Sequence, residues 1–263
     1  MVRRNSFEID PASHPLAPAI MAFNRGNGWY RAVIGPPAGP GWVRLAEFSG
    51  DVPELDRRLQ KFELIEGGHA GYAAAALIQQ VAHPLVSLIA WCVLTGPGVP
   101  ELDPGTTWLR GHPHGIFDRV SVGGGLTILP EDGEETARVT GERIVGTMRP
   151  LVASIRSVRK VGLPGLWRGV GDLVARCFIG AAAAMGSVET GVAAAEAILV
   201  RAPDPIRTTP RWHRNETNGM WFALRSVCCL AFTGIAGIYC DTCPLLDDDE
   251  ILRRLASNPA GAV

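Results

Sequence analysis

Four of the six cysteines lie within sixteen residues of one another and carry the clearest chemical signal in the sequence. Cys228, Cys229, Cys240 and Cys243 form the pattern C-C-x10-C-x2-C. A C-x2-C pair places two thiolates on the same side of a tight turn, where both can bind one metal centre. Adjacent side chains of an extended backbone point in opposite directions, so Cys228 and Cys229 can both ligate only if the chain bends beside them. The pattern therefore predicts a metal site.

The spacing leaves three kinds of site open. A zinc site of four cysteines uses two C-x2-C-like pairs, and a vicinal pair suits a single tetrahedral ion poorly. A disulfide or a redox dithiol fits a reducing compartment badly. A 2Fe-2S cluster needs four thiolates distributed over two irons, so the vicinal pair and the C-x2-C pair need not share a metal. We expect the cluster, with Cys240 and Cys243 on one iron and Cys228 and Cys229 on the other.

The motif resembles the C-terminal 2Fe-2S motif of the FhuF-like ferric-siderophore reductases. Arg225 lies shortly before the vicinal pair, Leu230 follows it, and Pro244 comes directly after the last cysteine. Members of the family often have Arg-Ser immediately before the pair, whereas Val227 intervenes here. The length of the chain and the position of the motif also resemble the family. Over residues 1–210 the resemblance lies in the layout of the elements rather than in particular residues.

The resemblance implies a cytoplasmic enzyme whose 2Fe-2S cluster passes one electron to Fe(III) in a siderophore, expected to be of the hydroxamate type. Hard oxygen ligands bind Fe(III) strongly and Fe(II) weakly, so that reduction releases the metal. The sequence shows no dinucleotide or flavin fingerprint, so the electron is expected from an external donor such as a ferredoxin or a flavin reductase. Two alternatives are an iron-sulfur sensor or regulator and a siderophore-binding module with a structural metal site.

Five other residues are candidates for contact with the substrate or the donor: Arg211, Trp212, Arg214, Arg225 and His69. The first three combine cations with an aromatic ring just before the cysteines, a composition that suits charge and stacking contacts. A solvated surface segment would have the same composition. His69 precedes a long apolar segment and either lines a ligand cleft or is a satisfied core histidine.

The composition limits the class of protein. The chain has 263 residues, a formal net charge of -1 and 47% hydrophobic residues, enough for one large domain or a main domain with a small appendage. The balanced charge argues against a nucleic-acid binder. No secretory signal and no transmembrane span are predicted, while peripheral membrane contact stays open. Cys92 and Cys177, isolated in apolar segments, are expected to be small buried hydrophobes.

The elements that must position the cysteines follow from hydrophobic periodicity and from helix and turn signals. Helices are predicted over residues 51–64, 69–94, 141–161, 166–184 and 187–201, with a further helix starting at 247–250. Strands are predicted over residues 106–110, 118–122 and 126–129, with a turn at 111–115. The Pro- and Gly-rich first fifty residues are expected to contain no long helix.

Together these elements predict an α+β fold: a mainly helical body, one small antiparallel sheet and a C-terminal 2Fe-2S lobe. We expect residues 1–210 to form the siderophore-binding body and residues 211–263 to form the cluster-binding region.

Overall fold

A long apolar helix runs through the centre of the protein in the computed structural model, which describes residues 13–112, 117–216 and 219–257. The helices are α1 (Ala17–Gly26), α2 (Leu45–Gly50), α3 (Val52–Glu66), α4 (Ala70–Thr95), α5 (Gly133–Val158), α6 (Leu163–Ala184), α7 (Val188–Arg201) and α8 (Asp248–Ser257). The strands are β1 (Arg31–Ile34), β2 (Trp42–Arg44), β3 (Gly98–Pro100), β4 (Thr107–Gly111), β5 (Phe117–Val122), β6 (Leu126–Ile128), β7 (Arg211–Arg214) and β8 (Trp221–Leu224). Helix accounts for 55% of the structure and strand for 13%, which confirms an α+β fold with a mainly helical body.

The central helix, α4, packs along α6 and also contacts α1, α3 and α5. It is long and apolar enough to cross a membrane, and 72% of its most apolar stretch is buried inside the protein. The core helix of a soluble protein has the same composition. The predicted segment 69–94 therefore corresponds to a helix whose apolar surface is covered largely by other parts of this chain.

The helices begin and end where the sequence provides caps. The Asp51 side chain accepts a hydrogen bond from the Glu54 backbone N at the start of α3, and the Asp132 side chain accepts from the first amides of α5. Gly67 ends α3 in the left-handed conformation, with φ of 63°, which glycine adopts without strain. These caps satisfy amides and carbonyls that a helix end leaves without partners.

The main sheet is mixed rather than antiparallel, which corrects the expectation of one small antiparallel sheet. Its four strands lie in the order β1-β5-β4-β2, and β1 is parallel to β5. The predicted strands at 106–110 and 118–122 correspond to β4 and β5, which pair antiparallel. Strand β1 was not predicted, because its four residues lie within the Pro- and Gly-rich segment. Of the predicted turn at 111–115, residues 113–115 lie outside the described residues.

The third predicted strand does not join this sheet. Strand β6 pairs with β3 in a separate two-stranded sheet. A Cβ at Gly98 would lie 2.5 Å from the carbonyl oxygen of Thr127, so the two backbones approach this closely only because position 98 has no side chain.

The C-terminal residues add a hairpin and a short helix. Strands β7 and β8 form a two-stranded antiparallel sheet, and α8 packs on it through a small cluster of Phe222, Ile251 and Leu255. Strand β8 also contacts α6, and Ala223 belongs to the main hydrophobic core. The division into residues 1–210 and 211–263 stays a prediction.

Candidate metal centre

The cysteine segment is held in irregular structure between β8 and α8. After the vicinal pair, Leu230 has φ of 63°, and a single 3-10 turn, Ala231–Thr233, follows. A positive φ is uncommon for a residue other than glycine, asparagine or aspartate. The Leu230 backbone N donates to the Cys228 sulfur at 3.3 Å. The chain therefore bends directly beside the vicinal pair, as two adjacent ligands require.

The four sulfurs are arranged as two pairs, each with one member of the vicinal pair and one of the C-x2-C pair. The Cys228 Sγ and the Cys243 Sγ are 4.0 Å apart. Cys229 and Cys240 are close enough for their side chains to shift each other's pKa. This pairing differs from the expected division into Cys240 with Cys243 and Cys228 with Cys229.

The distances discriminate between kinds of site. Two sulfurs bound at about 2.3 Å to one tetrahedral metal ion are about 3.8 Å apart, close to the separation of Cys228 and Cys243, whereas a disulfide requires about 2.05 Å. Within the described ranges, no three His, Cys, Asp or Glu side chains converge on a position for a single metal ion. The separation of Cys228 and Cys243 therefore fits two thiolates on one metal ion and not a disulfide.

Protonation differs among the four cysteines. The neighbouring Cys240 thiol, the charge of Arg225 and nearby backbone amides lower the pKa of Cys229 to about 5. The interaction with Cys229, together with burial, raises the pKa of Cys240, and burial raises the pKa of Cys228. Because only thiolates bind metal, loading the site must release protons from Cys228 and Cys240.

Two arginines lie beside the sulfurs. Arg225 is only 8% exposed, and its charge lowers the pKa of Cys229 and opposes the rise in the pKa of Cys240. Arg176, on α6, lies within electrostatic reach of Cys240, although its own pKa is lowered by burial and by Arg225. Four thiolates around two Fe(III) and two sulfide ions carry a net negative charge, which these guanidinium groups would partly offset.

The segment leading to the cysteines is anchored on helix α6. The Asp172 Oδ1 accepts hydrogen bonds from the Ser226 backbone N at 2.9 Å and from the Ser226 Oγ at 2.7 Å. Asp172 is 6% exposed, and burial raises its pKa against the opposing effect of these hydrogen bonds. The anchor fixes the backbone two residues before Cys228.

The loop from Cys229 to Cys240 packs against the junction of α3 and α4. The Ile235 backbone N donates to the Glu66 carbonyl at 2.6 Å. A Cβ at Gly67 would lie 2.4 Å from the Ile235 Cγ1, and a Cβ at Gly71 would lie 2.8 Å from the Leu230 Cδ1. The glycines of this junction therefore leave the space that the cysteine loop occupies.

The five predicted contact residues have different positions. Arg225 lies at the cysteines, as described. Arg211 is exposed and forms an ion pair with Asp248 at 2.9 Å, which ties β7 to the start of α8. Trp212 packs against the main core, and Arg214 is exposed. His69 is exposed and caps α4, where its Nδ1 accepts from the Gly71 backbone N at 3.2 Å. Their roles toward a substrate or donor stay predictions.

Sequence analysis missed Asp172 and Arg176, whose importance depends on packing between distant segments. The only available signal was the occurrence of charged residues within the largely apolar helix α6. Residue Arg176 also lines two cavities. One, of about 260 Å³, includes Arg225 and Cys240 in its lining, and the other, of about 450 Å³, lies in the helical body.

Comparison with protein-family models gives no match for this chain, and comparison with curated proteins gives none.

Proposed function

We propose that the protein is a cytoplasmic ferric-siderophore reductase that binds a 2Fe-2S cluster through Cys228, Cys229, Cys240 and Cys243. The observation that carries the proposal is the arrangement of the four cysteines as two pairs: the sulfurs of Cys228 and Cys243 are 4.0 Å apart, and Cys229 and Cys240 are close enough to shift each other's pKa. Each pair supplies two of the four thiolate ligands that such a cluster requires. The substrate, a ferric siderophore, is inferred from the resemblance of the motif to that of the ferric-siderophore reductases.

A 2Fe-2S cluster held by the four cysteines would supply one-electron chemistry, by which an electron from a donor would reach Fe(III) and convert it to Fe(II). The chain's own groups hold and tune the site. Arg225 and Arg176 place positive charge beside the ligands and thereby favour the added electron. The backbone N of Leu230 donates to the Cys228 sulfur, and the backbone of Ala231 contributes to the lowered pKa of Cys229. Hydrogen bonds to cluster sulfurs raise the reduction potential of a cluster.

Electron transfer also requires that partners approach the site. Residues 235–238, which lie between Cys229 and Cys240 in the sequence, are exposed. Ile235 is 77% exposed and Ile238 is 65% exposed. The site is therefore close to the surface, where an external ferredoxin or flavin reductase can dock. Fe(II) then leaves the siderophore because oxygen ligands bind it weakly.

The test is anaerobic reconstitution of the full chain with iron and sulfide. We expect equal amounts of iron and acid-labile sulfide, and a visible absorbance that bleaches with dithionite and recovers when a ferric siderophore is added. A matched variant, Cys92→Ser, changes a cysteine outside the motif and should retain the chromophore. A colourless protein that binds zinc, or a chromophore that ferric siderophores do not reoxidise, would contradict the proposal.

A thiol-disulfide function is a second candidate, favoured by the low pKa of Cys229, about 5, beside Cys240. Reactive cysteines of redox proteins have low pKa values of this kind. Mass spectrometry of the protein isolated without reductant distinguishes the two. A stable Cys229–Cys240 disulfide with no iron favours the second candidate, and a protein with iron, sulfide and four reduced cysteines favours the reductase.

A further inference from the structure

The larger cavity lies in the helical body beside the cysteine site. It has a volume of about 450 Å³, within the range of small-molecule sites. The α1–β1 connection contributes Trp29 and Tyr30 to its lining, α4 contributes His83 and Trp91, and α6 contributes Arg176. We call it the aromatic cavity.

Aromatic rings form part of the wall of the aromatic cavity, beside polar side chains that include Asn27 and Ser87. The Trp91 indole is 5% exposed and lies over Gly26, where a Cβ would be 2.1 Å from the Trp91 Cη2. Tyr30 packs edge-on against His83, with the ring centroids 5.1 Å apart. Trp29, 79% exposed, forms part of the rim. Such walls suit a ligand with a planar, apolar part.

The charged group of the lining is Arg176. Its Nε is buried and has no hydrogen-bond partner among the described residues, and its Nη2 reaches the Gln79 Oε1 at 3.5 Å, the outer limit for a hydrogen bond. The carboxylate one turn earlier, Asp172, is hydrogen-bonded through its Oδ1 to Ser226. The guanidinium therefore has donor capacity available, and planar donors of this kind bind carboxylates and other oxyanions.

Arg176 also joins the aromatic cavity to the cysteines. It lines the smaller cavity of about 260 Å³ together with Cys240, so that a ligand held by its guanidinium is one side chain away from the proposed cluster. The positive charge would also reduce the repulsion between a negative ligand and the negative cluster.

We propose that the aromatic cavity binds the ferric chelate and selects one with an anionic group held by Arg176 and a planar apolar part packed on Trp29, Tyr30 and Trp91. This inference rests on the proposed function and departs from the hydroxamate type expected from the motif. The substrate class it names is an anionic, ring-bearing ferric chelate in preference to a cationic one.

The test measures binding without electron transfer. Gallium(III) replaces Fe(III) because it has the same charge and is not reduced. Cluster-loaded protein is titrated by calorimetry with gallium complexes of a catecholate, which is anionic and aromatic, of citrate, which is anionic and not aromatic, and of desferrioxamine B, which is cationic. We expect the catecholate complex to bind about ten-fold more tightly than the cationic complex, the ratio expected for one charged hydrogen bond.

Three variants locate the site. Arg176→Met should weaken binding of both anionic complexes about ten-fold and leave the cationic complex nearly unchanged. Trp29→Ala removes an exposed ring that the core does not need and should weaken the aromatic complex more than citrate. Arg156 is an exposed arginine of α5, so Arg156→Met is the matched control and should leave the affinity for all three complexes unchanged.

The outcomes separate the two proposals. Equal affinity for the cationic and anionic complexes, or unchanged binding by both Arg176→Met and Trp29→Ala, would overturn the cavity assignment even if the wild-type protein reduces ferric siderophores. Selective binding that depends on Arg176 and Trp29 supports the assignment even if ferric chelates fail to reoxidise the cluster.

Discussion

Asp172 and Ser226, 54 residues apart in the chain, are joined by two hydrogen bonds that both end on the Asp172 Oδ1. One comes from the Ser226 backbone and one from its hydroxyl. A buried carboxylate in the middle of α6 thus fixes the start of the cysteine segment. The same residue places a negative charge close to Arg176 and Arg225.

Two substitutions of Asp172 should separate its hydrogen bonds to Ser226 from the effect of its negative charge. Asp172→Asn keeps an oxygen acceptor for Ser226 but removes the negative charge, so cluster content should be retained while the reduction potential rises, because reduction adds negative charge. Asp172→Ala leaves the Ser226 amide without its partner and should cost about 1–3 kcal/mol in unfolding free energy and lower the iron content. Potentiometric titration and denaturant unfolding measure these quantities. Glu189→Gln, at an exposed position of α7, is the control, and an unchanged potential in Asp172→Asn would contradict the electrostatic role.

The pairing of sulfurs predicts which cysteines share an iron. Mössbauer spectra of Cys228→Ser and Cys243→Ser should show the same iron altered, since their sulfurs are 4.0 Å apart. Cys229→Ser and Cys240→Ser should alter the other iron. If Cys240→Ser and Cys243→Ser perturb the same iron, the division expected from the sequence spacing is right and the pairing in the structure is not that of the loaded protein.

Cys229 should be the first cysteine of the motif to react in cluster-free protein. Its pKa of about 5 makes it a thiolate at neutral pH, whereas the pKa values of Cys228 and Cys240 are raised. Alkylation by iodoacetamide, followed by peptide mass spectrometry, should rise with pH to half its plateau near pH 5 and change little above pH 7. Burial raises the pKa of Cys92 to about 12 and that of Cys177 to about 11, so both should stay unmodified. Faster labelling of Cys228 would contradict the assignment.

Gly67, which lies in the left-handed conformation under the cysteine loop, should not tolerate a side chain. Gly67→Ala places a Cβ 2.4 Å from the Ile235 Cγ1 at a residue with φ of 63°, so we expect a loss of about 1–2 kcal/mol or more in unfolding free energy, with reduced iron content. Gly146→Ala on α5 is the matched control, because nothing lies within 4 Å of its Cβ position. That variant should be more stable by about 0.5–1 kcal/mol. Equal effects of the two substitutions would show that the loop does not depend on Gly67.

His83 should make the fold sensitive to acid. Burial, together with Arg176, lowers the pKa of His83 from 6.5 to about 4, so the folded state keeps it neutral where the unfolded chain would protonate it. The contribution of neutral His83 to the free energy of unfolding is therefore fully present above pH 6.5. It is lost as the pH falls toward 4, and the loss is about 2 kcal/mol at pH 5. Urea unfolding of wild type and His83→Gln at pH 7 and pH 5 measures the difference. The variant should lose less stability on acidification, and identical losses would contradict the assignment to His83.

The regular elements followed from the sequence where periodicity and caps agree. The segment predicted at 51–64 is α3, and the segment predicted at 187–201 is α7, each within two residues of the observed bounds. Their apolar spacing and flanking glycines are local signals. Strands β1 and β2 were not predicted, because three or four residues between glycines give too short a pattern, and their stability comes from pairing with β5 and β4.

The residues of the candidate site likewise fall into those that local sequence signals identify and those that only tertiary packing brings to the site. The four cysteines and Arg225 could be identified because their spacing is local. Asp172, Arg176 and the glycines under the loop could not, because their roles arise only when α6 and the α3–α4 junction are brought against the cysteine segment. The pairing of the sulfurs was also beyond the sequence, since it depends on how the loop folds back at Leu230.

The surfaces that receive the cysteine loop, α6 and the α3–α4 junction, precede it in the chain. During synthesis on the ribosome the helices therefore emerge before the thiols do, and they can fold first. If the cysteines bind iron as proposed, metal loading would then be a late event on a surface that already exists. A nascent chain stopped before residue 226 should accordingly contain the helical body with an Asp172 carboxylate that lacks its Ser226 partner.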